Sequence, residues 1–377
     1  MESILLIGVF LPFFLAVLVF TKKERSVSDH ILGSFFLLYA VNIFLSYMQA
    51  YNRQNGYLHP AWIQTATPLL MLHGPALWFY IKSLTDQQFR LKPGYLLHFL
   101  PFLIVLAEHY IHFYTLPAQQ RIEVVRGLAF REHWAYTAVV VAIAVSQVGY
   151  FSWGLAIVQG YRKKIKTYFS HLEPFSLEWL RQLLIAAVIC YGIIHLLYLT
   201  DLFYPVASFG ILQVFSYTLG TLYLVFLGFF GLRQGNLFHA HKINLNLEEA
   251  AFEKPGEPPL QTREEQFIQK LQNHMREKKP YLTPDLTIAR LSNQLEVTPE
   301  YLSKILNGYL KCSFFDFVNH YRIEEFKAKC LEDENSKLTL MGLAYDSGFN
   351  SKATFNRVFK NATGLTPGAY FRQVSEK

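Results

Sequence analysis

The 377 residues are 52% apolar and 17% charged, more apolar than a soluble domain and below the charged share of about 25% that such domains carry. Three cysteines, Cys190, Cys312 and Cys330, with no CxxC spacing, argue against a disulfide framework and a structural zinc site; two of them fall in the charged half, which suits a reducing cytoplasm. The net charge is +7, yet residues up to Arg233 hold sixteen Lys and Arg against ten acidic residues and the remainder nineteen against eighteen, so the basic excess follows membrane topology and is no sign of nucleic acid.

Almost every long apolar run lies before Arg233, a composition shift that marks a boundary between two solvents. The run 3–20 is just long enough to span a bilayer. No basic residue precedes it, and Lys22, Lys23 and Arg25 follow it. That is the reverse of a secretory signal peptide, so the segment reads as a retained first helix with its N-terminus outside. Further spans are predicted at about 30–49, 62–81, 95–114, 134–158, 179–199 and 208–232. With seven crossings, the inside loops carry ten Lys and Arg and the outside loops four, which places the C-terminus in the cytoplasm and the chain in the cell (inner) membrane. Trp62, Trp134, Trp153 and Trp179 sit near predicted span ends, as interfacial anchors do.

His73, His98, Glu108, His109, His112 and His195 fall inside these spans, and ionisable residues there are functional candidates. Glu108, His109 and His112 cluster near the outer end of the fourth span, with His133 and Asp201 near the same level. They form a candidate metal or ligand site. Interfacial histidines beside a hydrated carboxylate is the plainer reading and is preferred, because two histidines on one helix face are weak metal evidence. His73-Gly74-Pro75 reads as a helix kink. The seventh span has no lysine for a retinal Schiff base, and no repeated halves suggest a transporter.

Residues 234–262 read as a linker, with Lys254-Pro255-Gly256-Glu257-Pro258-Pro259 as a turn or tether. Thr262-x-x-Glu265 is a capping box ahead of Phe267, Leu271 and Met275 at helical spacing. Thr283-Pro284 and Thr298-Pro299 each look like an N-cap with proline at the first helical position. They predict two short helices, from Leu286 to Leu295 and from Pro299 to about Gly308, in a helix-turn-helix arrangement. Leu302, Ile305 and Leu306 would face inward; Glu300, Ser303, Lys304 and Asn307 would face outward. About fifty residues later the pattern recurs. Leu343-Ala344 matches Leu291-Ser292, Gly348 matches Glu296 in the turn, and Phe355, Val358 and Phe359 match the inward trio. Between the two, residues 313–330 read as one long helix that would hold two recognition helices for successive major-groove faces, about 34 Å apart.

The stretch from about Lys279 to Phe371 resembles the DNA-binding domain of the AraC/XylS family of bacterial regulators. The most specific run is Asp346-Ser347-Gly348-Phe349-Asn350-Ser351-Lys352-Ala353-Thr354-Phe355-Asn356-Arg357-Val358-Phe359-Lys360, continuing to Thr363-Gly364-Leu365-Thr366-Pro367 and Tyr370-Phe371-Arg372. Tyr321-Arg322-Ile323-Glu324-Glu325 also fits. The apolar spans read as a seven-helix transmembrane bundle (1–233), followed by the linker (234–262), and the whole chain is expected to be all-α; the resemblance implies that 263–377 is a bihelical domain with two helix-turn-helix units.

It further implies a DNA-binding transcription regulator; no nucleophile–base pair, phosphate loop or HExxH motif points to an enzyme, and no cofactor is expected. Its partners would be double-stranded promoter DNA and the lipid bilayer; RNA polymerase, a second copy of the chain and a signal ligand fit the same picture. Base contacts would come from Glu300, Ser303 and Lys304, then from Lys352, Ala353, Asn356 and Arg357, with Arg357 suited to a bidentate contact with guanine. Lys311 and Lys360 suit phosphate. Glu296 stands where the family has a turn glycine, and Ser292 replaces the usual alanine where the helices cross. The bundle would sense a signal; the alternative is a membrane transporter or enzyme with a regulatory DNA-binding tail. A bundle that only anchors, with release of the regulator by cleavage of the linker, is a third.

Overall fold

The computed structural model describes residues 2–86, 89–173, 175–204, 209–240, 261–331 and 339–375. They are helical, with no strand among them beyond a single bridge between Phe169 and Thr287. The chain divides into two units: 1–160 with 177–244, and 161–176 with 245–377. Most of the expected linker lies outside the described residues.

The first unit contains α1 (Glu2–Phe20), α2 (Val27–Gln54), α3 (Leu70–Thr85), α4 (Leu100–His109), α5 (Ala118–Arg126), most of α6 (Trp134–Ile165), α7 (Glu178–Asp201) and α8 (Phe209–Ala240). Five helical stretches are long and apolar enough to cross a membrane: Val27–Gln54, Pro93–Tyr114, Trp134–Ile165, Glu178–Asp201 and Ile211–Arg233. The first apolar run lies in α1, with Leu5–Phe20 as its apolar stretch. The expected span 62–81 is helical only from Leu70. Its first part breaks because Gln64 takes φ 62° and Pro68 has no N–H and disfavours helix in the residue before it. The Ala66 carbonyl left by this break accepts a 2.7 Å hydrogen bond from Asn42 Nδ2 on α2. Several large apolar side chains face outward, Phe10, Leu196 and Phe226 at 61%, 64% and 52% exposure, while Asn42, Asn52 and Ser46 are buried alongside an apolar core that includes Leu32, Phe36 and Leu77.

The second unit begins with α9 (Gln261–Lys278). Thr262 therefore lies inside the helix rather than ahead of it. The first helix pair is α10 (Ile288–Gln294) and α11 (Pro299–Lys304), the latter running into a π-helical turn, Ile305–Tyr309. Thr298 caps α11 as expected, its hydroxyl accepting from Tyr301 N. Thr283-Pro284 does not start a helix: the cap of α10 is Thr287. The strut is α12 (Phe314–Cys330), capped by Ser313. The second pair is α13 (Leu340–Asp346) and α14 (Lys352–Thr363), capped by Thr339 and Ser351, followed by α15 (Pro367–Ser375).

Two apolar clusters hold these elements. Leu302, Ile305 and Leu306 close on Leu271, Met275, Phe314 and Val318; Phe355 and Phe359 close on Phe326, Leu343 and Phe349. Each side chain of this size, fully buried, contributes about 1.5–3 kcal/mol.

Candidate nucleic-acid interface and bundle cavity

Burial of the inward trios turns the opposite faces of α11 and α14 outward, because residues three and four apart share a helix face. Glu300, Lys304, Asn307 and Lys311 are exposed and Ser303 is half-buried; Lys352, Ala353, Asn356, Arg357 and Lys360 are exposed. Asn307 Nδ2 folds back onto Ser303, donating to its carbonyl at 3.0 Å and its Oγ at 3.1 Å. The Arg357 guanidinium carbon stands 5.7 Å from the centroid of the Phe315 ring. Phe315 was not visible as a platform in the sequence, because it lies on the strut, far from α14 along the chain.

The two turns differ. Gly348 has φ 91°, and a Cβ there would meet Tyr281 O at 2.2 Å, so this close approach admits only glycine. Glu296 has φ 61° and is exposed; it takes the left-handed conformation at a cost of about 1–2 kcal/mol. Ser292 is fully buried and its hydroxyl donates to Ala289 O at 3.1 Å, which satisfies the polar atom where alanine would have none.

Arg322, 2% exposed, ties the unit together. Its guanidinium donates to the carbonyls of Tyr281 (2.8 Å), Thr283 (2.8 Å), Pro284 (3.1 Å) and Ser170 (3.3 Å). Burial pushes its pKa down to about 10, and the Asp285 charge opposes this. Nearby, burial alone would raise the Glu325 carboxyl. Hydrogen bonds from Lys279 and Tyr281, with the charges of Lys279 and Lys329, bring it net below its ordinary value.

The first unit holds a partly open cavity of about 900 Å³ lined by side chains of several helices. Glu108, His109, His112 and His133 line it; Asp201 does not, and pairs with Arg131 at 2.5 Å. His109 Nδ1 is 2.7 Å from Glu108 Oε2, and the His112 and His133 rings are 5.4 Å apart. Among the described residues no group of three or more His, Cys, Asp or Glu is arranged to hold a metal ion. Two further lining groups are His73, which the sequence offered as an ionisable candidate but assigned to a helix kink, and Asn42, which carried no signal there. His73, buried and stacked on Tyr39 with centroids 4.5 Å apart, leaves Nε2 without a partner, and Asn42, fully buried, leaves Oδ1 without one. His195 and Gln147, also lining, bond to each other at 3.0 Å.

The helix-turn-helix domain family matches residues 291–373, which cover α11 through α14 and most of α15. The probable transcription factor PqrA of Proteus vulgaris is 31% identical over 88 residues, 23% of this chain and 69% of that protein. An HTH-type transcriptional regulator of Staphylococcus aureus (strain COL) is 35% identical over 86 residues, 23% of this chain and 11% of that protein. The regulatory protein PocR of Salmonella typhimurium is 26% identical over 96 residues, 26% of this chain and 31% of that protein. The chain thus spans about a tenth of the length of the Staphylococcus relative. No solved structure matches the chain. With two capped helix pairs joined by a strut, an outward basic face on α14 and this matched stretch, the chain belongs to the AraC/XylS family of helix-turn-helix transcription regulators.

Proposed function

We propose that the protein is a membrane-anchored transcription regulator whose apolar unit lies in the inner membrane, N-terminus outside, and whose second unit binds promoter DNA in the cytoplasm. The observation that carries this reading is one chain that joins a matched helix-turn-helix domain to five membrane-length apolar helices. Base contacts fall to Glu300, Ser303 and Lys304 on α11 and to Lys352, Ala353, Asn356 and Arg357 on α14; Asn307, Lys311 and Lys360 flank them. Phosphate neutralisation by Lys311 and Lys360 positions the protein, and the α14 side chains specify.

The cavity is the sensory element in this reading. Its unpaired Nε2 of His73 and Oδ1 of Asn42 are costly to leave buried without a hydrogen bond, and a bound molecule would relieve both. Tyr39, Gln147 and His195 also line the cavity, with Glu108, Arg53 and Arg126 elsewhere in its wall. Such a lining favours a small organic molecule with hydrogen-bonding groups.

Reporter fusions test the placement. Fusions after Lys23, Lys92, Lys164 and Asn236 should report cytoplasm, and those near Asn55, Gln120 and Tyr204 the outside. A cytoplasmic signal at Gln120 would refute the seven-span arrangement.

A further inference from the structure

The segment 161–176, from the last turns of α6 to the start of α7, belongs to the DNA-binding unit. Phe169, Ser170 and Leu172 are 4%, 0% and 6% exposed. Backbone hydrogen bonds fix it to the start of the first helix pair: Ile288 N donates to Tyr168 O at 3.0 Å and Ser170 N to Leu286 O at 3.3 Å. Another fixes it to the start of the strut, where Phe315 N donates to Lys166 O at 3.0 Å. At its far end Glu173 reaches the second recognition helix. Its Oε1 accepts from Ser351 Oγ and, at 3.0 Å, from Thr354 Oγ1.

We propose that residues 161–176 are a tethered inhibitor of DNA binding, with the Glu173 carboxylate held at the N-terminus of α14 in the place of a DNA phosphate. This rests on the DNA-binding reading above. A helix N-terminus presents free N–H groups and the positive end of the dipole, and takes phosphate readily. A carboxylate offers the same acceptor chemistry. The hydroxyls of Ser351 and Thr354 cannot donate to Glu173 and to a phosphate at once, and an unneutralised carboxylate on this face repels the duplex backbone. The segment also engages the surroundings of Arg357: the Lys166 ammonium stands 6.0 Å from the centroid of Phe315, the same ring that Arg357 covers.

Withdrawal of the segment would not orphan the buried charge beneath it. Arg322 loses Ser170 but keeps the carbonyls of Tyr281, Thr283 and Pro284, so the helical core retains its own satisfied network. The segment is continuous with α6 and α7 at its two ends. A change in those helices therefore acts on it directly through the chain.

The test uses the full chain in lipid nanodiscs and a random-sequence duplex of about 20 base pairs, enough for two major-groove faces, because a phosphate competitor acts on any sequence. Glu173 is exposed, so Glu173→Ala and Glu173→Gln should fold. Both should bind the duplex more tightly than the parent, Glu173→Ala by about tenfold, as the fraction of competent protein rises. Glu265→Gln removes the same charge from an exposed position on α9 and should change affinity by less than about twofold. Unchanged affinity in both Glu173 variants overturns the inhibitor, as does an equal gain in Glu265→Gln, which would make the effect one of net charge. Failure of every protein to bind would instead fell the DNA-binding reading, and the inhibitor with it.

Discussion

Arg357→Ala distinguishes reading of bases from bracing of the fold. The residue is exposed and its guanidinium carbon lies 5.7 Å from the Phe315 centroid. A cation–π contact at such a site contributes about 0.5–1 kcal/mol. A bidentate contact with guanine discriminates by about 1–3 kcal/mol. The second exceeds the first, so the side chain can leave the ring for a base at a net gain. Truncation should then cost about 1–3 kcal/mol on the preferred site and blur the preference at one base pair. Loss of the ring contact should lower stability by at most about 1 kcal/mol. Selection from a randomised duplex pool defines the preferred site, and affinities for its single-base variants, with melting curves on the same proteins, separate the two roles. Lys360→Ala serves as the contrast: it should weaken specific and random DNA alike and reduce the salt slope by about one. Unchanged base preference in Arg357→Ala, together with a stability loss well above the cation–π figure, would refute the argument.

Gly348→Ala should destabilise the second unit by about 2–5 kcal/mol, the sum of left-handed strain and a clash of the new Cβ with backbone, since Tyr281 O would lie 2.2 Å away. At the matching turn Glu296→Gly should instead stabilise by about 1 kcal/mol, through relief of the left-handed cost at φ 61°; thermal melting of both variants reads the opposite signs. The pH dependence follows from Glu325, whose folded pKa lies below the ordinary value of 4.5. Its contribution is fully present above that ordinary value and is lost as pH falls through the folded value. Denaturant titrations from neutral to acid pH should show this loss, and Glu325→Gln should reduce the acid dependence.

What could be read in the sequence was what repeats locally. The trios Leu302, Ile305, Leu306 and Phe355, Val358, Phe359 follow helical spacing, and burial of one face fixes exposure of the other. The turn residues were legible for the same reason: a left-handed position shows itself by glycine at 348 and by the cost of its absence at 296. Thr283-Pro284 misled because a cap signature describes only its own chain segment. Leu286 O accepts from Ser170 N and, at 2.6 Å, from Ser170 Oγ, and Ile288 N donates to Tyr168 O. Partners more than a hundred residues away therefore hold Leu286 and Thr287 out of the helix, which starts only after Thr287. The cavity was hidden in the same way. Asn42 and His73 sit on different helices, and neither has a neighbour in sequence that marks it as a lining group.

The segment 161–176 shows how one stretch can meet two demands that sequence statistics do not separate. Arg162, Lys163, Lys164 and Lys166 were counted as an inside-loop signal, and a bilayer requires nothing more of them. Yet among the next residues Phe169, Ser170 and Leu172 are buried in the second unit, and Glu173 reverses the charge sign where α14 begins. Tyr168 packs against the cluster that contains Leu302 of the first recognition helix, while Glu173 bonds to the cap of the second. A loop that only connected two spans would gain nothing from an acid after four bases or from a fully buried serine. Both are accounted for when the loop's binding surface is the regulator's own DNA-binding unit.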